Sequence, residues 1–266
     1  MKPELYLTFC SSSSIVEFEK RHYVEKMLAL EQMSELERAR LGPMSKKEGM
    51  PRGHHGQQIH FLIWYKGENV GAISGGGAVY ATGVRDSFFD ITQNNREQVL
   101  NGIIDNTVFR LEKPERNLAT RCLALWRKTV VGYWEYLYGV KPYGFETFVL
   151  REDLEDGRQR VGALYLADNW TMVGETYGST KNHIGVGLTG SPKLDGKGSF
   201  ARAKVQPKLV FCRWISGYTE PQYCEYKSSW KAGTKVGTPE EKLLAKERAT
   251  RRQNCLGTSH ISEVKS

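Results

Sequence analysis

Apolar and polar positions along this chain repeat with two periods, and the switches between those periods mark its elements. Glu4 to Phe9 alternates and is rich in β-formers, which predicts a first strand. Ser11-Ser12-Ser13-Ser14 follows as a loop ending in a good N-cap, and residues 15–41 have helical composition throughout. Residues 42–56, rich in Gly, Pro, Lys and His, read as a loop. Gln58–Tyr65 and Asn69–Ser74 are β-rich runs parted by Lys66-Gly67-Glu68, whose turn chemistry predicts a hairpin. Gly75-Gly76-Gly77 predicts a bulge or a close backbone approach. Residues 79–95 read as irregular and polar, with a short turn around Asp86–Asp90. A short helix over Arg96–Ile104 and a strand over Thr107–Glu112 come next.

The most regular stretch begins at Pro114. It reads as a proline-and-arginine turn, a long helix over Asn117–Tyr138, a strand over Tyr143–Leu150, and then a tyrosine-containing segment from Ala163. A free helix N-terminus beside a splayed strand can hold phosphates, because its first N–H groups and its dipole both favour anions. Beyond Tyr177 the pattern weakens. Ser179–Gln206 is rich in Gly and Lys with little apolar periodicity, so it is either a long ordered loop or an arm. Pro207–Ile215 predicts a late strand, and Pro239–Arg252 a charged helix capped by Thr238. No internal repeat is visible.

The chain has 266 residues, 39% hydrophobic and 26% charged, which is ordinary for a globular protein and fits one domain with an extension or two small ones. No apolar run approaches the roughly 18 residues needed to cross a bilayer, so no membrane contact is expected. The N-terminus lacks the apolar core of a signal peptide. Five widely spaced cysteines, an odd number, argue for a reducing cytoplasm and against a disulfide framework or a zinc knuckle. Charge changes the picture more. The net charge is +8, yet residues 179–266 hold 16 Lys and Arg against 7 Asp and Glu, so the whole surplus lies in the last third. Such asymmetry suits either contact with a polyanion, most often nucleic acid, or a solvated basic tail. Lys181, Lys193, Lys197, Arg202, Lys204 and Lys208 are spaced by glycines, a pattern suited to phosphate contact with little base readout.

Strand, helix, hairpin, strand, long helix, strand, tyrosine segment, strand: this order is similar to the acyl-CoA N-acyltransferase (GNAT) fold over residues 3–178. The resemblance implies an α/β (α+β) mixed sheet flanked by helices. That sheet would splay open between its fourth and fifth strands, Thr107–Glu112 and Tyr143–Leu150. Acetyl-CoA or a related acyl donor would lie in the gap. Residues 1–178 would then form the GNAT-like domain and 179–266 a basic extension. The family's pyrophosphate motif, Arg/Gln-x-x-Gly-x-Gly/Ala, is met here by Arg116-Asn117-Leu118-Ala119-Thr120-Arg121, which keeps the arginine and small residues without the glycines. Arg110 and Asn169 complete the expected cofactor-binding set. Arg116 and Arg121, five apart, do not share one helical face, so one of them is expected to reach phosphate.

A closer resemblance rests on Glu146-Thr147-Phe148-Val149, Tyr165-Leu166-Ala167-Asp168-Asn169-Trp170 and Val173-Gly174-Glu175-Thr176-Tyr177-Gly178. These runs resemble the Mom-type DNA-modification proteins and the Druantia anti-phage proteins of bacterial defence islands. Asp105–Arg110 and Pro207–Phe211 also fit the second group. The first group is associated with an acetamido-type modification of adenine N6, so the resemblance implies chemistry on DNA. Tyr165 matches the position of a GNAT tyrosine that protonates the departing thiolate, and a phenol with a pKa of about 10 suits that step. Glu146, among Tyr143, Phe145, Phe148 and Val149, is a candidate base whose desolvation would raise its pKa, or a surface residue in a salt bridge. Asp168 and Asn169 either orient substrate or shape a turn. His54-His55-Gly56 suits a base or a substrate contact; with no third ligand at recognisable spacing, no metal is expected. The exocyclic amine of adenine is a poor nucleophile and lies inside the duplex, so positioning, a base, and flipping or single-stranded substrate are required. Two other functions fit the same residues: acyl transfer to tRNA, protein or a small amine, and DNA binding by a defence or counter-defence protein with a degenerate cleft.

Overall fold

The computed structural model describes residues 3–22, 57–113, 115–153, 159–176, 179–181, 202–204, 207–215, 239–256 and 259–260. The strands among them are β1 (Leu5–Cys10), β2 (Gln58–Tyr65), β3 (Glu68–Gly77), β4 (Ile103–Leu111), β5 (Gly144–Leu150), β6 (Glu152–Asp153), β7 (Gln159–Arg160), β8 (Thr171–Glu175), β9 (Ser179–Lys181), β10 (Arg202–Lys204), β11 (Lys208–Trp214) and β12 (Ser259–His260). Eight of these form one mixed sheet in the order β12-β1-β2-β3-β4-β5-β11-β8. The β4–β5 pair is parallel and every other neighbour pair is antiparallel. This is the splayed α/β sheet expected from the acyltransferase resemblance.

Local chemistry accounts for the front half of the sheet. Lys66 and Gly67 both take positive φ (51° and 86°), the two-residue hairpin turn whose twist matches the strands it joins. β3 runs on through all three glycines, and its register against β4 shifts between Ser74 and Gly75, so the expected bulge is present. Gly71 is a true close approach: a Cβ there would drive into the Arg110 carbonyl.

Alternation divides the sheet into two faces. One face presents Ile59, Phe61, Ile63, Ile73, Ile104, Phe145 and Phe211 to helix α4 (Leu118–Tyr138), which buries Trp126, Val130, Tyr133 and Trp134. α4 is the crossover joining the two parallel strands. The other face presents Ile103, Tyr143, Val210 and Cys212 to Phe89, Ile91, Val99 and Leu100 of the β3–β4 connection. That connection lies across the sheet as a strap and contains α2 (Gly83–Phe88) and α3 (Arg96–Leu100).

Two elements differ from the sequence expectation. Residues 79–95 are not irregular throughout, because α2 forms there. Its buried positions are Arg85 and Asp86, so it shows no apolar stripe. The helix at Arg96 stops at Leu100, and Ile103 and Ile104 open β4 instead; Gly102 sits against the Tyr143 ring with no room for a Cβ. In the first helical stretch a 3-10 turn (Ser12–Ile15) leads into α1 (Val16–His22), and the rest of the predicted helix lies outside the described residues. Two described strands of the C-terminal third join the same sheet. β11 enters between β5 and β8, and β12 pairs with β1. Helix α6 (Pro239–Cys255) lies against α4, with Arg251 donating to the Tyr136 carbonyl at 2.9 Å.

Candidate active site

β4 and β5 pair at only three positions: Ile103 with Gly144, Ile104 with Phe145, and Asp105 with Glu146. Beyond them β4 stays on β3 as far as Leu111, and β5 stays on β11 as far as Leu150. The sheet therefore opens between residues 106–111 and 147–150. Because both strands run parallel, the opening lies at their carboxyl ends, the usual ligand side of a β-α-β unit.

Asn106 and Thr147 are the first residues past the last pair, and they close the bottom of the opening on the α4 face. Thr147 Oγ1 donates to the Asn106 carbonyl at 3.0 Å, and Asn106 Nδ2 donates to the Ser74 carbonyl at 3.0 Å. The Asn106 side-chain oxygen is thus turned to Tyr165, whose hydroxyl donates to it at 2.8 Å. Tyr165 comes from the short helix α5 (Ala163–Ala167), and its ring stacks on Phe211 and meets Trp170 edge-on. Gly162, at φ 71°, starts α5 flat on the Phe211 ring, where a Cβ would overlap the ring carbons. Burial pushes the Tyr165 phenol up to about 12, so it keeps its proton near neutral pH and has one to give.

Asp105 and Glu146 sit side by side on the strap face. Glu146 is fully buried. Its Oε1 accepts from the Val79 backbone N–H at 2.7 Å, and its Oε2 takes Arg85 Nη1 at 2.5 Å. Arg85, equally buried, spends its other donors on Asp86 (2.7 Å) and the Val79 carbonyl (2.5 Å). Arg96 closes the cluster on Asp86 and the Tyr80 carbonyl, each at 2.7 Å. Burial pushes Glu146 up to about 7 against the opposing pull of Arg85. Asp105 has no such cation in contact; burial, then the Glu146 charge, raise it well above the carboxylate range, with Lys208 and Arg85 opposing. Its Oδ1 is buried without a hydrogen-bond partner.

The structure thus gathers some of the sequence candidates and separates others. Glu146 and Tyr165 both reach the bottom of the opening, but from opposite faces of the sheet. Lys208, half-buried on β11, shares the strap face and acts electrostatically on Asp105. The Asp168 carboxylate is held by Arg127 at 2.5 and 2.6 Å and by Trp170 Nε1 at 2.9 Å, a partly buried ion pair that ties α5 to α4. Asn169 is exposed in the left-handed conformation (φ 58°) of a turn. Asn117 is the N-cap residue of α4, left-handed at φ 60° and without a side-chain cap bond. Leu118 is core, Ala119 and Thr120 are half-buried, and Arg116 is exposed. Arg121 lies 3.4 Å from Glu4, and Arg110 shares Glu112 with Arg21. The first turn of α4 holds no acidic residue. Arg202 and Lys204 lie on β10, which pairs Arg202 with Lys181 of β9. His55, Lys193 and Lys197 lie outside the described residues.

Asp105, Asn106, Arg85 and Asp86 were not among the sequence candidates. Asp105 and Asn106 did fall inside the quoted Asp105–Arg110 run, whereas nothing local marks an arginine on a two-turn helix as buried.

The profile of the Druantia protein DruA family matches residues 47–210, a span that holds the opening and both of its faces. The chain belongs to that family. In this DruA-family protein the matched region begins before β2 and ends within β11, so it reaches the start of the late strand beside β5. No curated protein sequence matches it. Among solved structures it is similar to RimL, a ribosomal alpha-N-protein acetyltransferase (11% identity, 80% of this chain and 94% of that one, TM-score 0.36). It is also similar to FeeM, an N-acyl amino acid synthase from uncultured soil microbes (10%, 80% and 90%, 0.38). A third is the aminoglycoside 6'-N-acetyltransferase of Enterococcus faecium (10%, 78% and 96%, 0.35).

Proposed function

We propose that this DruA-family protein is an acyltransferase that moves an acyl group from a thioester such as acetyl-CoA to a nucleobase amine of DNA, with adenine N6 as the acceptor position. The observation that carries the proposal is the opening between β4 and β5, with a phenol donor on one face of its closed end and a proton-holding carboxyl pair on the other. The acyl donor's phosphates would meet the first turn of α4, which carries no acidic residue of its own and is flanked by exposed Arg116, with Arg121 beside Glu4. The glycines that usually let a backbone wrap a pyrophosphate are missing, so arginine contacts carry more of that binding here. As the amine nitrogen attacks the thioester carbonyl, the C–N bond forms and the C–S bond breaks. The amine proton passes to the Asp105–Glu146 pair, and the departing sulfur takes the Tyr165 proton.

DNA as the acceptor is supported by the concentration of positive charge in residues 179–266. Blocking the major-groove edge of adenine would protect the modified DNA from restriction enzymes that read it. Nucleosides from the DNA of cells expressing the protein, analysed by mass spectrometry, test the whole reading. A deoxyadenosine of increased mass is expected with the wild type and not with Tyr165→Phe. Unaltered nucleosides from the wild type would favour DNA binding without catalysis. The engagement of both Glu146 oxygens by Arg85 and Val79 is what speaks for that second reading.

A further inference from the structure

Asp105 stands out on this face as a buried carboxyl whose Oδ1 has no hydrogen-bond partner. We propose that Asp105 is the residue that reads the acceptor, pairing its carboxyl with a planar edge that carries an N–H beside a ring nitrogen or carbonyl, and that aliphatic ammonium groups are refused. The inference rests on the acyl-transfer reading above and narrows its substrate class.

The argument runs from charge to geometry. Neighbouring strands lie about 4.7–4.9 Å apart, so two carboxyls in register on one face cannot both ionise cheaply. Arg85 and the Val79 N–H already satisfy Glu146, and Asp86 has Arg85 and Arg96. Glu146, held by Arg85, therefore ionises before Asp105, and Asp105 keeps its proton. The groups acting on Asp105 are Glu146 from β5, Lys208 from β11 and Arg85 from α2, and Asp105 in turn acts on Tyr165 of α5. With Arg85, Arg96 and Lys208 set against Glu146 and Asp86, this face has no surplus of negative charge to draw in a cation. A neutral carboxyl offers an O–H donor beside a carbonyl acceptor. That pair complements the amidine edge of adenine or cytosine, as an asparagine amide does.

The test uses the full-length chain with adenosine, cytidine and spermidine as probes. Saturation-transfer NMR in mild acid and at the alkaline end of the protein's stable range reads their binding, and calorimetry on the same samples reads acetyl-CoA. Adenosine and cytidine should bind wild type and Asp105→Asn alike at the lower pH, and bind Asp105→Leu at least about tenfold more weakly. At the higher pH the wild type should weaken while Asp105→Asn does not, since its amide cannot ionise. Spermidine binding that Asp105→Asn abolishes, or loss of nucleoside binding in Asp105→Asn at the lower pH, would overturn the inference, because each points to an anionic Asp105. Acetyl-CoA binding without nucleoside binding would also overturn it, yet leave acyl transfer standing. Nucleoside binding with the expected variant pattern but no acetyl-CoA binding would support it and remove acyl transfer.

Discussion

Replacing Arg85 with methionine should destabilise this protein strongly above neutral pH and much less in mild acid. The guanidinium is fully buried and holds Glu146 at 2.5 Å, Asp86 at 2.7 Å and the Val79 carbonyl at 2.5 Å. Methionine fills much of the same volume, so the loss is chiefly electrostatic. Removing one partner of a buried pair typically costs about 3–5 kcal/mol, because the other charge is left unpaired. Glu146 already sits at about 7 in the folded state against 4.5 as the free side chain, with Arg85 pulling it down. A folded value above the unfolded one contributes stability that is complete below about 4.5 and is lost as pH rises through the folded value. Without Arg85 that folded value climbs further, so the loss extends to higher pH. Each pKa unit is worth about 1.4 kcal/mol, and a difference of about 2 kcal/mol in the cost of the substitution is expected between about pH 5 and about pH 8. Urea unfolding of wild type and variant at both values measures it. Arg85→Met combined with Glu146→Gln should recover most of the stability lost at the higher pH, since the uncompensated charge is then gone. A cost that is the same at both pH values, or below about 1 kcal/mol at the higher one, would refute the charge argument.

Tyr165→Phe removes the hydroxyl that donates to Asn106 at 2.8 Å, leaving a buried acceptor unsatisfied at a cost of about 1–3 kcal/mol in chemical denaturation. As the proton donor it should also reduce transfer about 100- to 10,000-fold, and full activity in the variant would assign the proton elsewhere. Asp105→Asn should stabilise the fold at alkaline pH and do little in acid: burial raises the Asp105 carboxyl, whose contribution is lost as pH rises through its folded value. A thermal shift of the same size at both extremes would contradict that. Alanine at Lys193, Lys197, Arg202 and Lys204 together should weaken duplex DNA binding equally on all sequences and lower the log–log salt slope by about 0.9 per lost phosphate contact. An unchanged slope would identify the basic third as a solubility feature.

Much of the framework is legible in the sequence because local chemistry specifies it. Alternation marks β1, β-rich composition marks β2 and the latter part of β4, turn chemistry at Lys66-Gly67 marks the hairpin, and an apolar stripe over 21 residues gives α4. Charge counting likewise places the basic surplus in the last third without any coordinates. Alternation also assigns each residue to one face of its own strand. It says nothing of which strand lies alongside, and that is where tertiary structure decides. The strand predicted at Pro207–Ile215 became the partner of β5 and β8 only through long-range pairing. The same pairing holds β5 to β11 while β4 follows β3, and so opens the sheet. Asp105 and Glu146 meet because α4 returns the chain parallel to β4 in one particular register; shifted by one residue, Glu146 would face α4. Arg85 is buried because Glu146 of β5 meets it across the fold, joining the adjacent Asp86 and the nearby Val79 carbonyl, and no short window of sequence contains that distant carboxylate.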